Sequence, residues 1–196
     1  MNVALVDSGG ANIGSIRYAL QRLGVEAALT SDAAAIRAAD RVILPGVGAA
    51  APAMARLRNS GLVEVLRSLT QPVLGVCLGM QLLCAHSDEG SVDCLGLIDA
   101  NVQRFDGRDG LRVPHMGWNR VDTVAPHRLF ADKAGNDWAY FVHSYAVPVG
   151  AATLATCDYD GAFSAAIGRG NFVGVQYHPE RSAAFGMATL RNFLSS

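Results

Sequence analysis

Short apolar runs alternate with helix-spaced apolar positions from Asn2 to Ala85, and few folds accept that order. Asn2–Val6 reads as a strand that ends at Asp7, with Ser8, Gly9 and Gly10 turning the chain. Ile13, Ile16, Leu20 and Leu23 then fall on one helix face, and Gly24 is a natural stop. Val25–Leu29 reads as a second strand, Ser31 as the cap of a short helix, and Arg41–Leu44 as a third strand ending at Pro45. Met54, Leu57, Leu62, Val65, Leu66 and Leu69 predict further helix, interrupted near Ser60 and Gly61. Pro72–Val76 is β-rich, and Met80–Ala85 is helical in pattern. Strands of this kind, apolar on both sides and separated by helices, predict an α/β fold: a mostly parallel central sheet with helices on both faces.

The second half changes character. Asn101–Phe105, Trp118–Val124, Ala139–Val142, Thr153–Cys157, Phe163–Ile167 and Phe172–Gln176 are short strand candidates separated by Gly, Asp, Asn and Pro. They predict antiparallel hairpins added to the main sheet. A closing helix is expected over Ala183–Leu194. The chain shows neither a fixed repeat nor a low-complexity linker, and its 196 residues are expected to form a single domain, 1–196.

Composition narrows the function classes. Hydrophobic residues make up 51% and charged residues 17%, too apolar a balance for a disordered chain. A net charge of −1 without a basic run argues against nucleic acid as a partner. The start has no cationic region before its short apolar run, which Asp7 interrupts, so no signal peptide is expected, and no apolar run is long enough for a membrane span. Cys77, Cys84, Cys94 and Cys157 contain no CxxC pair, so neither a metal site nor a disulfide framework is expected. Those features fit a cytoplasmic protein without a cofactor.

The most informative stretch is Gln71–Leu83, QPVLGVCLGMQLL. A β-rich run enters Gly75-x-Cys77-x-Gly79 and a helical segment follows at once, the thiol form of a strand–nucleophile–helix elbow. Such a turn lifts the cysteine out of the sheet, sets its sulfur at a helix N-terminus that favours thiolate, and aims the Leu78 N–H at a developing oxyanion. A buried structural cysteine is the plain alternative, and it stands for the other three cysteines, which lack flanking glycines.

A thiol nucleophile needs a base. Of five histidines, His178 lies where a strand runs into a Pro-directed turn, with Glu180 two residues on. A carboxylate beside one ring nitrogen would fix the tautomer and stabilise the imidazolium, giving a triad of Cys77, His178 and Glu180. Pro45-Gly46-Val47-Gly48, at the end of the third predicted strand, could bring a second oxyanion N–H, from Val47, beside Cys77.

Taken together, the PGVG, GVCLGMQLL and YHPE segments resemble the class I glutamine amidotransferases, whose fold is flavodoxin-like and which hydrolyse glutamine to glutamate and ammonia. Pro114–Asn119 (PHMGWN), Tyr140–Tyr145 (YFVHSY) and the start VDSGGANIGS resemble the branch formed by the glutaminase subunits of imidazole glycerol phosphate synthases. The resemblance implies that Cys77 forms a glutamyl thioester, that His178 and Glu180 complete the triad, and that Val47 and Leu78 serve the oxyanion. It further implies that Gly46, Gly48, Gln81, His143, Ser144 and Tyr145 hold glutamine. The implied partner is a (βα)8-barrel cyclase that receives ammonia, with Asn12, Trp118, Asn119, Tyr140 and Arg181 near the interface. Gln81 could equally be a solvated helix residue, His143 a packed strand-end histidine, and Trp118 a core residue. Two departures touch the implied interface rather than the triad: Arg181 stands where lysine is common, and Ser8 where a tyrosine often follows the aspartate.

Other readings are an amidotransferase subunit serving another pathway, such as pyridoxal phosphate or anthranilate synthesis, and a non-enzymatic thiol sensor on a similar fold. A nucleotide-binding module is disfavoured, because Gly9, Gly10 and Gly14 match neither GxGxxG nor a phosphate-binding loop.

Overall fold

The computed structural model describes residues 1–8, 13–131 and 137–196. Asn12, expected near an interface, lies outside the described residues.

Five parallel strands form the centre. They are β1 (Val3–Val6), β2 (Ala27–Thr30), β3 (Arg41–Gly46), β4 (Val73–Cys77) and a late strand, Phe172–Val175. Helices α1 (Ile13–Arg22), α2 (Ala33–Ala38), α3 (Ala50–Asn59), α4 (Leu62–Arg67) and α5 (Leu78–Leu83) link the first four strands and follow the fourth. Short strands come next: β5 (His86–Ser87), β6 (Val92–Asp93), β7 (Asn101–Arg104), β8 (His115–Arg120), β9 (Asp122–Thr123), β10 (Trp138–His143), β11 (Tyr145–Ala146), β12 (Thr153–Asp158) and β13 (Ala162–Arg169). The late central strand is β14, and α6 (Ala183–Ser195) closes the chain. The main sheet runs β2-β1-β3-β4-β14-β13-β12-β9, antiparallel beyond β14.

Alternation along the central strands creates two cores. Val3, Leu5, Ile43, Leu74 and Val76 face α1 and α6, where Leu20, Phe185 and Phe193 pack on them. Ala4, Val6, Val42, Leu44 and Val73 face the other way, onto Ile36, Met54, Leu57, Leu66 and Leu82 from α2 to α5. The expected fold class is therefore the one observed.

Details differ. Asp32, not Ser31, caps α2, its carboxylate accepting from the Ala34 N–H at 2.9 Å. β3 continues through Pro45 to Gly46, because a parallel neighbour pairs both residues with β4. The expected single strand over Trp118–Val124 splits in two. β8 begins at His115 and, among the described residues, pairs only with β10 as a separate ribbon, while β9 joins the main sheet. β11, β7, β5 and β6 form another small sheet, so only β9, β12 and β13 extend the central one as anticipated.

Candidate functional site

The parallel register of β3, β4 and β14 builds the site. Gly46 of β3 lies opposite Cys77 of β4, and Val175 of β14 lies opposite Val76. The PGVG loop, the cysteine and the HPE turn thus leave one sheet end side by side.

Cys77 has φ 55° and ψ −112°, a conformation that an L-residue holds only under constraint. The constraint is backbone crowding. A Cβ on Gly79 would collide with the Leu44 carbonyl oxygen, and one on Gly75 would sit 2.6 Å from the Gly79 oxygen. Glycine on both sides of the cysteine lets α5 start directly against β3 and β4, which satisfies the elbow reading. α6 is fixed to the HPE turn in the same manner, since a Cβ on Gly186 would collide with the backbone of Pro179.

His178 Nδ1 and Glu180 Oε1 are 2.9 Å apart, with both side chains buried. Nε2, also buried, makes no hydrogen bond of good geometry among the described residues. Burial disfavours the charged ring, but the nearby Cys77 and the hydrogen-bonded Glu180 outweigh it and raise the His178 pKa to about 10. Cys77 and Glu180 thus favour the protonated ring between them. The Cys77 sulfur lies 3.8 Å from Gln176 Nε2, which donates to it, and 4.0 Å from the Val142 carbonyl oxygen.

Cys77, Val142 and His178 open on a cavity of about 350 Å³, in the size range of small-molecule sites. Val47, Gly48, Cys77, Leu78, Gln81, His143, Ser144, Tyr145, His178 and Arg181 all line it. Gly46 adjoins the elbow, where its Cβ would lie 2.8 Å from the Gly79 nitrogen. Gln81 is buried rather than solvated, its amide nitrogen donating to the Tyr145 oxygen (2.8 Å) and to Gln176 Oε1 (2.9 Å). His143 is the packed strand-end histidine of the plain alternative, with its backbone segment at the cavity.

Sequence reasoning missed three residues. Glu89 lines the cavity, accepts from the Ala50 N–H at 2.9 Å and has its pKa raised by burial, with that bond opposing. Gln176 is completely buried behind the sulfur. Ser8 donates to the carbonyl of Pro45 at 2.7 Å, steadying the entry to the PGVG loop.

Beside the cavity the β8–β10 ribbon presents an apolar outer face. Trp118 is 51% exposed and Met116 62%, so Trp118 is not a core residue; strand alternation turns it outward. It stands 6.2 Å from Tyr140 in edge contact, and the Arg181 guanidinium lies over the Tyr140 ring. Asn119, expected with them, points to the opposite side of the ribbon and donates to the Asp158 carbonyl at 2.9 Å.

The family model for glutamine amidotransferase class-I matches residues 4–196. The chain belongs to that family. Curated relatives include a protein of Xanthomonas axonopodis pv. citri, 55% identical over 98% of this chain and 96% of its own length. Another, from Xylella fastidiosa, is 56% identical with the same coverage. Both are named imidazole glycerol phosphate synthase subunit HisH. Among solved structures, a glutamine amidotransferase superposes with a TM-score of 0.77 at 19% identity, covering 98% of this chain and 97% of its own. PurLQS from Thermotoga maritima gives 0.71 at 16% identity, covering 99% and 97%. At such identities these structures speak for the fold alone.

Proposed function

We propose that residues 1–196 form one glutaminase domain, the amidotransferase subunit of an imidazole glycerol phosphate synthase. It hydrolyses L-glutamine and passes ammonia to a (βα)8-barrel cyclase in histidine biosynthesis. The observation that carries this reading is the meeting of Cys77, His178 and Glu180 at one sheet end beside a cavity of suitable size. Identity above half to the HisH subunits over nearly the whole chain selects the branch.

In the proposed reaction the Cys77 thiolate attacks the side-chain amide carbon of glutamine. The Leu78 and Val47 N–H groups receive the oxyanion. The protonated His178 gives its Nε2 proton to the leaving nitrogen, and ammonia departs from a glutamyl thioester. Neutral His178 then takes a proton from water as the water attacks the thioester; glutamate leaves and the thiolate returns. Glu180 keeps the ring oriented and balances its charge throughout. Glu89 supplies a carboxylate for the substrate's α-ammonium group, and the Ser144–Tyr145 backbone supports its amino-acid head. No helix among the described residues is long and apolar enough to cross a membrane, and the four cysteines are free and buried, in keeping with a reducing cytoplasm.

The cyclase is proposed to dock on Trp118, Tyr140 and Arg181. Tyr140 ties that face to catalysis: its carbonyl accepts from the His178 N–H at 2.9 Å, and its N–H donates to Ser182 Oγ at 2.9 Å. Glutamine hydrolysis measured alone, with the cyclase, and with the cyclase plus its formimino nucleotide tests the proposal. Activity should be low alone and rise with each addition. Equal rates in all three would overturn the coupling, and no hydrolysis in any would overturn the glutaminase assignment.

A further inference from the structure

The triad leaves two buried histidines unused. His115 and His143 sit on the inner face of the β8–β10 ribbon, opposite each other in register. Their facing nitrogens, His115 Nδ1 and His143 Nε2, are 3.1 Å apart. His143 Nδ1 lies 2.9 Å from the Tyr145 carbonyl oxygen. A carbonyl only accepts, so Nδ1 of His143 must carry the hydrogen and its Nε2 must accept. His115 is then the donor through Nδ1, and its Nε2 accepts from Asn119 Nδ2 at 3.4 Å. One direction of donation satisfies every member, and both rings carry their hydrogen on Nδ1.

The chain continues beyond the carbonyl. Gln81 donates to the same Tyr145 oxygen and to Gln176 Oε1, which leaves the Gln176 amide nitrogen to face the Cys77 sulfur at 3.8 Å. A single run of hydrogen bonds therefore joins the ribbon to the nucleophile by way of the Ser144–Tyr145 segment. That segment has its other carbonyl taken as well, Ser144 accepting from the Phe105 N–H at 3.0 Å. Flanking rings fix the histidine planes: His115 stacks on Tyr159 with centroids 4.0 Å apart and on Phe141 at 5.0 Å. Burial is the main cause that lowers both pKa values, His115 to about 4 and His143 to about 3, so the bonding pattern persists at neutral pH.

We propose that His115 and His143 are positioning residues for glutamine binding, locking the Tyr145 carbonyl and thereby the backbone on which the substrate's amino-acid head rests, and joining that backbone to the ribbon on which the partner docks. Neither ring touches the reacting atoms. The inference rests on the glutaminase reading and deepens it, since it assigns substrate affinity to groups outside the triad.

Two measurements on the complex with the cyclase test it. In wild type, nitrogen-15 spectra of the histidine rings at neutral pH should show both rings as neutral Nδ1–H tautomers; an Nε2–H tautomer at either position overturns the proposal. In kinetics, His143→Leu should raise the glutamine KM about tenfold, the worth of one hydrogen bond, with little change in kcat per titrated active site. His143→Asn, which keeps a donor at the Nδ1 position, should recover most of that loss, and His115→Phe, which keeps the stacking, should raise KM less. A role in packing alone would lower the number of competent sites without moving KM, and that result overturns the proposal. If wild type itself does not hydrolyse glutamine, the functional reading fails instead, while the tautomers still report on the hydrogen-bond chain.

Discussion

Gln176 donates its side-chain amide to the sulfur of Cys77 at 3.8 Å, and the orientation of that amide is set by Gln81, which holds its oxygen at 2.9 Å. A donor aimed at sulfur keeps the Cys77 side chain in one rotamer. Gln176→Leu removes the donor and leaves a similar volume. Alkylation of Cys77 by a glutamine-analogue affinity label should slow about tenfold, the lower end for a hydrogen bond to a charged group, given its length. An unchanged labelling rate would mean that the helix terminus and His178 suffice.

Cys77→Ala keeps the elbow's glycines and removes only sulfur. Glutamine-dependent turnover of the complex should vanish, while synthesis by the cyclase from free ammonia should persist. Glutamine-driven product from this variant would show the nucleophile to be misassigned.

The elbow was legible because its physics is local. Gly75 and Gly79, on either side of Cys77, report a backbone with no room for Cβ atoms, and the Leu44 carbonyl that imposes the limit on Gly79 is one strand away. The parallel core was legible for a similar reason: apolar runs on doubly covered strands need no partner to be recognised. Glu89 was hidden, because nothing in its sequence neighbourhood tells that β5 and the turn after it bring it against the N-terminus of α3. Gln176 looked like a strand-end residue, and only the parallel pairing of β4 with β14 places it behind the sulfur. The Trp118–Val124 segment read as one strand because neither Gly nor Pro interrupts it; the change of partner at Val121 is a tertiary event.

Stability should peak near neutral pH, with two limbs of opposite origin. The folded His178 pKa stands above its ordinary 6.5, at about 10, despite burial, because Cys77 and Glu180 favour the charged ring. Its contribution is complete below pH 6.5 and is lost as pH rises toward 10. Burial holds His143 and His115 at about 3 and about 4, so unfolding takes up protons there and stability falls as pH drops below 6.5. Urea unfolding across this range should show both limbs, with Glu180→Gln flattening the alkaline one and His115→Phe the acid one. A Glu180→Gln profile parallel to wild type would contradict the first assignment.

The proposed docking face offers the last prediction. Arg181 sits 4.3 Å from the Tyr140 ring centroid, and Trp118 meets the same ring edge-on, so the three side chains form one surface. Exposed aromatic and guanidinium groups of this kind carry a disproportionate share of binding energy once a partner excludes water. Trp118→Ala should weaken the complex with the cyclase about thirtyfold, corresponding to about 2 kcal/mol for a hot-spot residue. Arg181→Lys keeps the charge but loses the planar stack, so its effect should be smaller, about threefold. Titration calorimetry reads both affinities, and the glutamine-analogue label shows whether Cys77 stays competent in the isolated variants. Undiminished affinity in Trp118→Ala would move the docking site off the β8–β10 ribbon, and with it the backbone link from the partner through Tyr140 to His178.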